Sequence, residues 1–353
     1  MFQFFLKQIF YALTVLIGVV VTVFILFQGL PGDPARLTMG QRTDAATLEN
    51  VNRELGLDKP KWQQLLYYIN DVSPISIHLN TKLNEAKYNY RTIFNFSHSV
   101  VVVKKPYLRY SYQLQKPVSG MLMQVIPNTI ILAVLAIVFS SLLGITLGIL
   151  AALNQNTIID RLLIVISVSG ISFPSFFSAI LFQWLFAFVL ASITHLPMTG
   201  NIHEYDLDGH FHLNLSTLIL PVLTLGIRPL AVFTQLTRSA MLDVLQMDFI
   251  RTARSKGLSK WKIVWRHALR NALNPVVTSI SGWFAEMLAG AFFIELVFSW
   301  NGLGKLTVDA LNKNDFPVVM GAVLVAASIF VLVNLITDIA YGIIDPRIRR
   351  TQI

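Results

Sequence analysis

The sequence predicts an all-α integral membrane protein with six transmembrane helices and a small mixed extracytoplasmic subdomain between the first two. Apolar residues make up 54% of the 353 residues, only 13% are charged, and the mean hydropathy is +0.60. A soluble domain carries about 25% charged residues. The stretches 8–32, 117–159 and 162–203 contain no charged residue. Each is longer than the roughly 20 residues that a helix needs to cross the hydrocarbon core, which excludes an ordinary soluble fold.

Six apolar segments are long enough to be membrane spans. The first follows Lys7 and resembles a signal peptide, but it is too long for one and lacks a small-x-small cleavage pattern, so we expect an uncleaved helix. The predicted spans are 9–29, 124–152, 161–190, 217–238, 275–297 and 318–344.

The charges of the short loops predict the orientation. Segment 238–275 and the tail 345–350 are basic, whereas the loop 191–216 has three acidic residues and neither Lys nor Arg. Because Lys and Arg collect on cytoplasmic loops, we expect both termini in the cytoplasm of a multi-pass protein. The net charge of +9 is then explained by topology and contact with membrane lipid, and no nucleic-acid partner is expected.

Three regions follow along the chain. Residues 1–30 form the first transmembrane helix, 31–120 the extracytoplasmic subdomain, and 121–353 a five-helix core with the loop 238–275. In the subdomain, apolar spacing predicts a helix over 43–70, and the runs Ser99–Val103 and Tyr107–Tyr112 favour strands.

The segment Arg238–Arg270 is the most informative part of the chain. It carries eight Lys/Arg against two acidic residues. Its pattern predicts two amphipathic helices, Asp248–Gly257 and Ser259–Asn271, with Ser259 as an N-cap and Gly257 at a helix end with positive φ. Such a segment fits a docking surface for a cytoplasmic protein or a basic loop lying on anionic lipid, and the residues alone leave both open.

Spacing places several residues of each predicted helix on one face. The first face is Ile250, Ala253 and Arg254; the second is Ile263, Val264, His267 and Ala268.

Histidine and acidic residues crowd the loop 191–216. His203-Glu204 lacks a second histidine four residues on, so the helical zinc-protease pattern is missing. We expect a hairpin turning at Asp208-Gly209, with no metal site. No nucleophile elbow and no phosphate-binding P-loop occurs in the sequence, so no catalytic residue and no bound cofactor is predicted.

Several sequence blocks occur in an order that resembles the binding-protein-dependent ABC importer permeases, in the dipeptide/oligopeptide (peptide/nickel) branch. In the central loop, Thr252-Ala253 is followed by three residues and then Gly257, although Arg251 stands where that loop usually has glutamate. The stretch from about Val72 to Lys104 is unmatched and looks like an insertion. The blocks are Pro31–Pro34, Glu54–Asp58, Pro127–Thr129, Phe173–Phe176, Leu220–Thr224, Thr237–Leu245, Phe249–Leu258, His267–Leu273, Glu295–Gly304 and Asp345–Arg349.

This resemblance implies the ABC type I importer permease fold in the inner membrane of a bacterium. It implies a heterodimer with a second homologous permease, two ABC ATPase subunits that use ATP and Mg²⁺, and an extracytoplasmic substrate-binding protein. The chain itself would not be an enzyme, and the solute would be a di- or oligopeptide. A nickel or metal-chelate importer is the alternative, and an ion-coupled secondary transporter is a further one.

Residues within the spans give candidates for the translocation pathway, since ionisable groups at that depth usually mark a pathway or a pair. Glu286 in the fifth span either meets a cationic group such as a peptide amino terminus or is an interior residue bonded to a neighbour, and Arg228 could be its partner. Phe173, Pro174 and Trp300 are further candidates for the translocation pathway, Pro174 by kinking its span. The residues expected to couple to the ATPases are Asp248, Phe249, Arg251, Thr252, Ala253, Arg254, Lys256, Gly257 and Leu258.

Overall fold

The computed structural model describes residues 2–29, 58–96, 98–205 and 211–344, and this part of the chain is mostly helical. The contacts group the chain into two compact units. One comprises Met1–Val125 and Leu306–Val331, and the other comprises Ile126–Lys305 and Leu332–Ile353.

The described helices are long in the apolar segments and short between them. They are α1 (Phe2–Gly29), α2 (Lys61–Val72), α3 (Lys82–Tyr88), α4 (Val118–Leu153), α5 (Ile158–Ser172), α6 (Ser175–Phe182), α7 (Ala191–Thr194), α8 (Ser216–Leu245), α9 (Asp248–Ser255), α10 (Lys260–Lys262), α11 (Leu269–Gly290), α12 (Phe292–Val297), α13 (Leu303–Asn312) and α14 (Phe316–Ile344). Two π-helical stretches, Gln183–Val189 and Ile263–Ala268, continue α6 and α10.

The strands form two small antiparallel sheets. They are β1 (Ile75–Leu79), β2 (Arg91–Asn95), β3 (Ser99–Val103), β4 (His203–Tyr205) and β5 (Phe211–Leu213). The first sheet has the order β1-β3-β2, and β4 pairs with β5 as the predicted hairpin requires. Its expected turn at Asp208-Gly209 lies outside the described residues.

Four described helical segments are long and apolar enough to cross a membrane: Leu6–Leu26 in α1, α4, α8, and Phe316–Ile339 in α14. A fifth candidate is α5 together with Ser175–Val189, which are bent by 109° relative to each other. The fifth predicted span, 275–297, is not among them, and its helix breaks at Ala291 between α11 and α12.

The bend after α5 confirms that Pro174 interrupts its span. Phe173 is extended, with φ −96° and ψ 140°, as expected of a residue that precedes proline. Pro174 then occupies the N-cap position of α6, where its missing N–H disturbs no helical hydrogen bond.

In the second unit, α8 packs closely against α4. A Cβ added at Gly148 would lie 2.5 Å from the Thr237 Cβ, and one at Gly144 would lie 2.8 Å from the Phe233 Cβ. The two glycines are four residues apart on α4, the small-residue spacing that lets two helix backbones approach in a membrane. Larger side chains at either position would separate the helices.

In the first unit, the region 58–117 is a mixed subdomain, which we call the inserted subdomain. Ser99–Val103 is a strand as predicted, but Tyr107–Tyr112 is not. The segment Tyr107–Tyr112 is interrupted at Arg109, whose positive φ of 63° is incompatible with an extended strand. Of the helix predicted over 43–70, only its end is confirmed in α2, because residues 43–57 lie outside the described part of the chain.

The inserted subdomain is held together by polar contacts centred on Asp71. The Tyr88 hydroxyl donates to Asp71 Oδ1 at 2.8 Å, and Arg109 Nη2 lies 3.4 Å from Oδ2. The Lys104 ammonium group donates to the backbone carbonyl of Asp71. These contacts join α2, α3 and the chain after β3.

His78 of β1 is buried beside this cluster. Its Nε2 lies 2.9 Å from the Ser76 hydroxyl, and its ring stacks on Tyr88 with centroids 4.2 Å apart. Burial lowers the pKa of the His78 imidazole, and the positive charge of Lys104 lowers this pKa further. Among the other groups that face it, Asp71 acts in the opposite direction and Lys87 in the same direction.

The stability of the inserted subdomain should therefore fall in mild acid. Because the pKa of His78 is lower folded than unfolded, where it is about 6.5, the unfolded chain binds the proton more tightly. The contribution of neutral His78 is fully present above about pH 6.5 and is lost as the pH falls towards the folded pKa. Hydrogen exchange of the β1 amides, corrected for intrinsic rates, should show protection decreasing from pH 7.5 to 5.5.

The variant His78→Gln should remove most of this pH dependence, because glutamine does not titrate. His98→Gln changes an exposed histidine and should leave the dependence unchanged. Equal pH dependence in His78→Gln and the unmodified protein would show that His78 is not responsible.

Candidate functional site

The helix α9 is short, and Gly257 lies in the turn that follows its last residue, Ser255. Gly257 has φ +74°, and the N–H of Leu258 bonds back to the carbonyl of Ala253 at 3.3 Å. Backbone of this kind satisfies the last carbonyls of a helix and favours glycine. The predicted helix end at Gly257 is confirmed.

One face of α9 is anchored in the core of the second unit. Ile250 is fully buried and Ala253 is 6% exposed. They belong to one apolar cluster with residues from α4, α8 and the helix that leads into α11. The other buried members are Ile149, Ala152, Met241, Val244, Ile263, Val264, Ala268, Leu269 and Ala272. We call this the anchoring cluster.

The opposite face of α9 is exposed and cationic. Arg251, Arg254 and Lys256 are all exposed, and Phe249 is 40% exposed. Arg254 lies on the same side of the helix as Ile250, but it is exposed. It lies four residues after Ile250, but its charged head extends to solvent, as long cationic side chains do. The segment therefore presents positive charge and one aromatic ring outwards.

The second predicted helix, Ser259–Asn271, is not a separate element. Helical structure begins at Lys260 and runs through Ile263–Ala268 directly into α11. Ser259 occupies the N-cap position but makes no side-chain cap hydrogen bond. No glycine interrupts this run before Gly282, and Pro275 is accommodated inside α11. Of the predicted face, Ile263, Val264 and Ala268 are buried and His267 is partly buried.

An ion pair near the anchoring cluster was missed by the sequence analysis. Arg238 of α8 donates to both carboxylate oxygens of the buried Asp160, at 2.6 and 2.7 Å. In the sequence, Arg238 belongs to the basic segment and has no evident partner. The signal for the pair is that Asp160 lies at the start of one predicted span and Arg238 at the end of another, so both charges are near the same membrane surface. The exposed pair Trp261 and Trp265, with centroids 5.2 Å apart, was also missed.

The pathway candidates Arg228 and Glu286 line one open pocket with a cavity volume of about 50 Å³, also bordered by Trp283 and Ser175. The ion pair considered between them is not formed. The described part of the chain supplies neither a hydrogen bond nor an ion pair to either side chain, and the buried Arg228 Nε is unpartnered. The guanidinium lies 5.8 Å from the centre of the Trp283 ring. Phe173 and Pro174 are exposed at the nearby break between α5 and α6.

Trp300 lies in a different environment from the one predicted. It is 1% exposed, and its indole N–H donates to the Asn128 carbonyl at 3.1 Å. A side chain that is buried in this way does not line an open pathway in this chain. The apolar ring packs inside because the loop after α12 folds back on α4.

Glu295 of α12 organises this loop. Its carboxylate accepts from the Thr129 hydroxyl at 2.7 Å and from the Gly304 and Lys305 amides at 2.6 and 3.1 Å. The Leu303 amide donates to the same Thr129 hydroxyl at 2.8 Å. The fully buried carboxylate thus satisfies the first amides of α13 and fixes that helix to α4. A Cβ at Gly302 would lie 2.3 Å from this carboxylate, which explains the glycine.

Comparison with protein families identifies the chain. A profile described as "Binding-protein-dependent transport system inner membrane component" matches residues 144–350. A second profile, for the N-terminal part of such membrane components, matches residues 1–133. The chain belongs to this family. It is therefore a membrane-embedded permease subunit of a transport system, as the sequence blocks predicted.

Curated relatives match this permease over its whole length. The dipeptide transport permease DppB of Escherichia coli K12 is 34% identical, covering 100% of both chains. The di/tripeptide permease DppB of Pseudomonas aeruginosa is 33% identical over 95% of both, and the glutathione permease GsiC of Escherichia coli K12 is 35% identical over 99% of both.

A solved structure supports the fold. The inward-facing MetNI methionine ABC transporter superposes with a TM-score of 0.51, covering 64% of this chain and 97% of that one. The sequence identity is 16%, so this likeness concerns the fold alone.

Replacing Glu295 by glutamine should destabilise the permease. Glutamine turns one acceptor oxygen into a donor, so one of the three N–H and O–H groups loses its partner, at about 1–3 kcal/mol. We expect a lower midpoint of thermal unfolding for the detergent-solubilised protein. Glu85→Gln removes an exposed carboxylate and should leave the midpoint unchanged. The same midpoint in both variants would contradict the role of Glu295.

Proposed function

We propose that this permease imports di- and oligopeptides in a process driven by ATP hydrolysis in partner subunits. The observation that carries the proposal is the full-length identity of 33–35% to permeases for dipeptides, di/tripeptides and glutathione, itself a tripeptide. Identity over the entire length includes the spans that form the pathway, so it bears on the solute as well as on the scaffold.

The proposed architecture has six spans with both termini in the cytoplasm. Residues 31–120 would lie outside the membrane between the first two helices, and 121–353 would form the five-helix core. The basic segment 238–275 supports this orientation because it carries the most Lys and Arg of the short segments between spans. The proposed partners are a second homologous permease in a heterodimer, two ABC ATPases and an extracytoplasmic substrate-binding protein.

We place the contact with the ATPases on α9 and the residues that follow it. Its outer face offers Phe249, Arg251, Arg254 and Lys256, and its inner face is fixed in the anchoring cluster. A helix held by α4, α8 and α11 cannot be displaced without moving those helices. ATP and Mg²⁺, bound by the ATPases, would close them, and α9 would carry that motion into the membrane.

Uptake into proteoliposomes tests the solute. The permease is reconstituted with its second permease, ATPases and binding protein, and labelled dialanine and nickel ions are supplied separately. Dialanine should accumulate only when ATP is present inside with access to the ATPases, and a variant ATPase unable to hydrolyse ATP is the control. Accumulation of nickel without dialanine would refute peptide import.

Substitution of Gly257 tests the coupling. Its φ of +74° disfavours β-branched residues, while a Cβ there would meet nothing within 4 Å, so the effect is conformational and not steric. Gly257→Val should lower ATP-dependent uptake at least severalfold at an unchanged amount of protein in the membrane. Gly257→Asn should retain most uptake, because asparagine tolerates this conformation.

Gly18→Val is the matched control, since Gly18 of α1 also has no neighbour within 4 Å but has no positive φ. Full uptake by Gly257→Val would show that the shape of this turn is not needed for coupling.

A further inference from the structure

The pocket between α8 and α11 carries two opposite charges that do not neutralise each other. Arg228 comes from α8, and Glu286 comes from α11. The Glu286 carboxylate and the Arg228 guanidinium line the same pocket, yet they form no ion pair with each other. Charges at such depth in a membrane protein are expensive and usually face a pathway or a partner.

The Arg228 side chain lies against an aromatic ring, but its hydrogen-bonding capacity is not fully used. Its guanidinium lies 5.8 Å from the Trp283 ring centre, an arrangement that favours a cation over an aromatic face. The buried Nε–H group of Arg228 donates to no acceptor among the described residues. An arginine positioned in this way offers its remaining N–H groups to a planar anion such as a carboxylate.

Glu286 is the complementary group. Its side chain is exposed to the pocket side of α11 and makes no hydrogen bond or ion pair with a described residue. Leu225, Met287 and Ile294 supply the apolar remainder of the wall. The pocket wall therefore combines a group that can bind an anion, a group that can bind a cation, and apolar side chains.

We propose that this pocket binds the two charged termini of a short peptide during transport, the carboxylate at Arg228 and the ammonium group at Glu286. The inference rests on the proposed peptide import and adds the site within this chain. Recognition of the termini leaves the peptide side chains against Leu225, Met287 and Ile294, which discriminate weakly between them. A pathway that must release its solute suits this moderate binding.

The test measures direct binding to the assembled importer in lipid nanodiscs without the binding protein, so that only the permease contacts the solute. Three labelled probes are compared: dialanine, N-acetyl-dialanine without the ammonium group, and dialanine amide without the carboxylate. Glu286→Gln should weaken dialanine and the amide about tenfold and leave N-acetyl-dialanine unchanged. Arg228→Gln should weaken dialanine and N-acetyl-dialanine about tenfold and leave the amide unchanged.

Glu85→Gln and Arg91→Gln, which remove exposed charges of the inserted subdomain, are the matched controls and should bind all probes normally. Equal losses for all three probes, no loss, or no dialanine binding at millimolar concentration would overturn the site. Failure of either variant to assemble with the second permease would also overturn it, by assigning these charges to the subunit contact. Dialanine uptake by the unmodified importer separates the two proposals, because it can persist when the site fails.

Discussion

The burial of Ile250 and Ala253 in the anchoring cluster is the contact on which the proposed coupling depends. Without it, α9 would be a basic helix resting on lipid, and a force applied to it would go no further. With it, a helix of about two turns is bound to the ends of α4 and α8 and to the start of the helix that becomes α11. Protein cores transmit displacement because they are close-packed and have little room to deform.

Two further contacts make the second unit resist deformation. The Asp160–Arg238 pair joins α5 to α8 with two short charge-assisted hydrogen bonds, and breaking one partner would leave a buried charge. Glu295 joins α12, α13 and α4 through a carboxylate that accepts three hydrogen bonds. Neither contact involves Arg228 or Glu286, which form no ion pair with described residues. The paired charges thus hold helices together, and the two pocket charges remain available for the proposed solute.

The local features of the fold could be predicted from the sequence, and the pairings between distant segments could not. An isolated glycine between two basic amphipathic stretches was enough to predict the positive φ at Gly257, and proline was enough to predict the break after Phe173. The prediction of a separate helix Ser259–Asn271 was wrong, because the helical structure continues from Lys260 into α11. Arg238 with Asp160 and Trp300 with Asn128 are 78 and 172 residues apart, and periodicity carries no information on such partners.

The pocket and the anchoring cluster share the same two helices. Arg228 and Met241 lie 13 residues apart on α8, which is about 20 Å along the helix axis. Ala272 and Glu286 lie 14 residues apart on α11, again about 20 Å. A tilt of α8 relative to α11, imposed at the anchoring cluster, therefore changes the separation of the two pocket charges. If the proposed site is correct, a peptide of fixed length bridges only one range of separations, and its affinity would differ between the two states. Linkage would then require that peptide binding bias the position of α9 by the same free energy, so that the solute and the proposed ATPases act on one equilibrium.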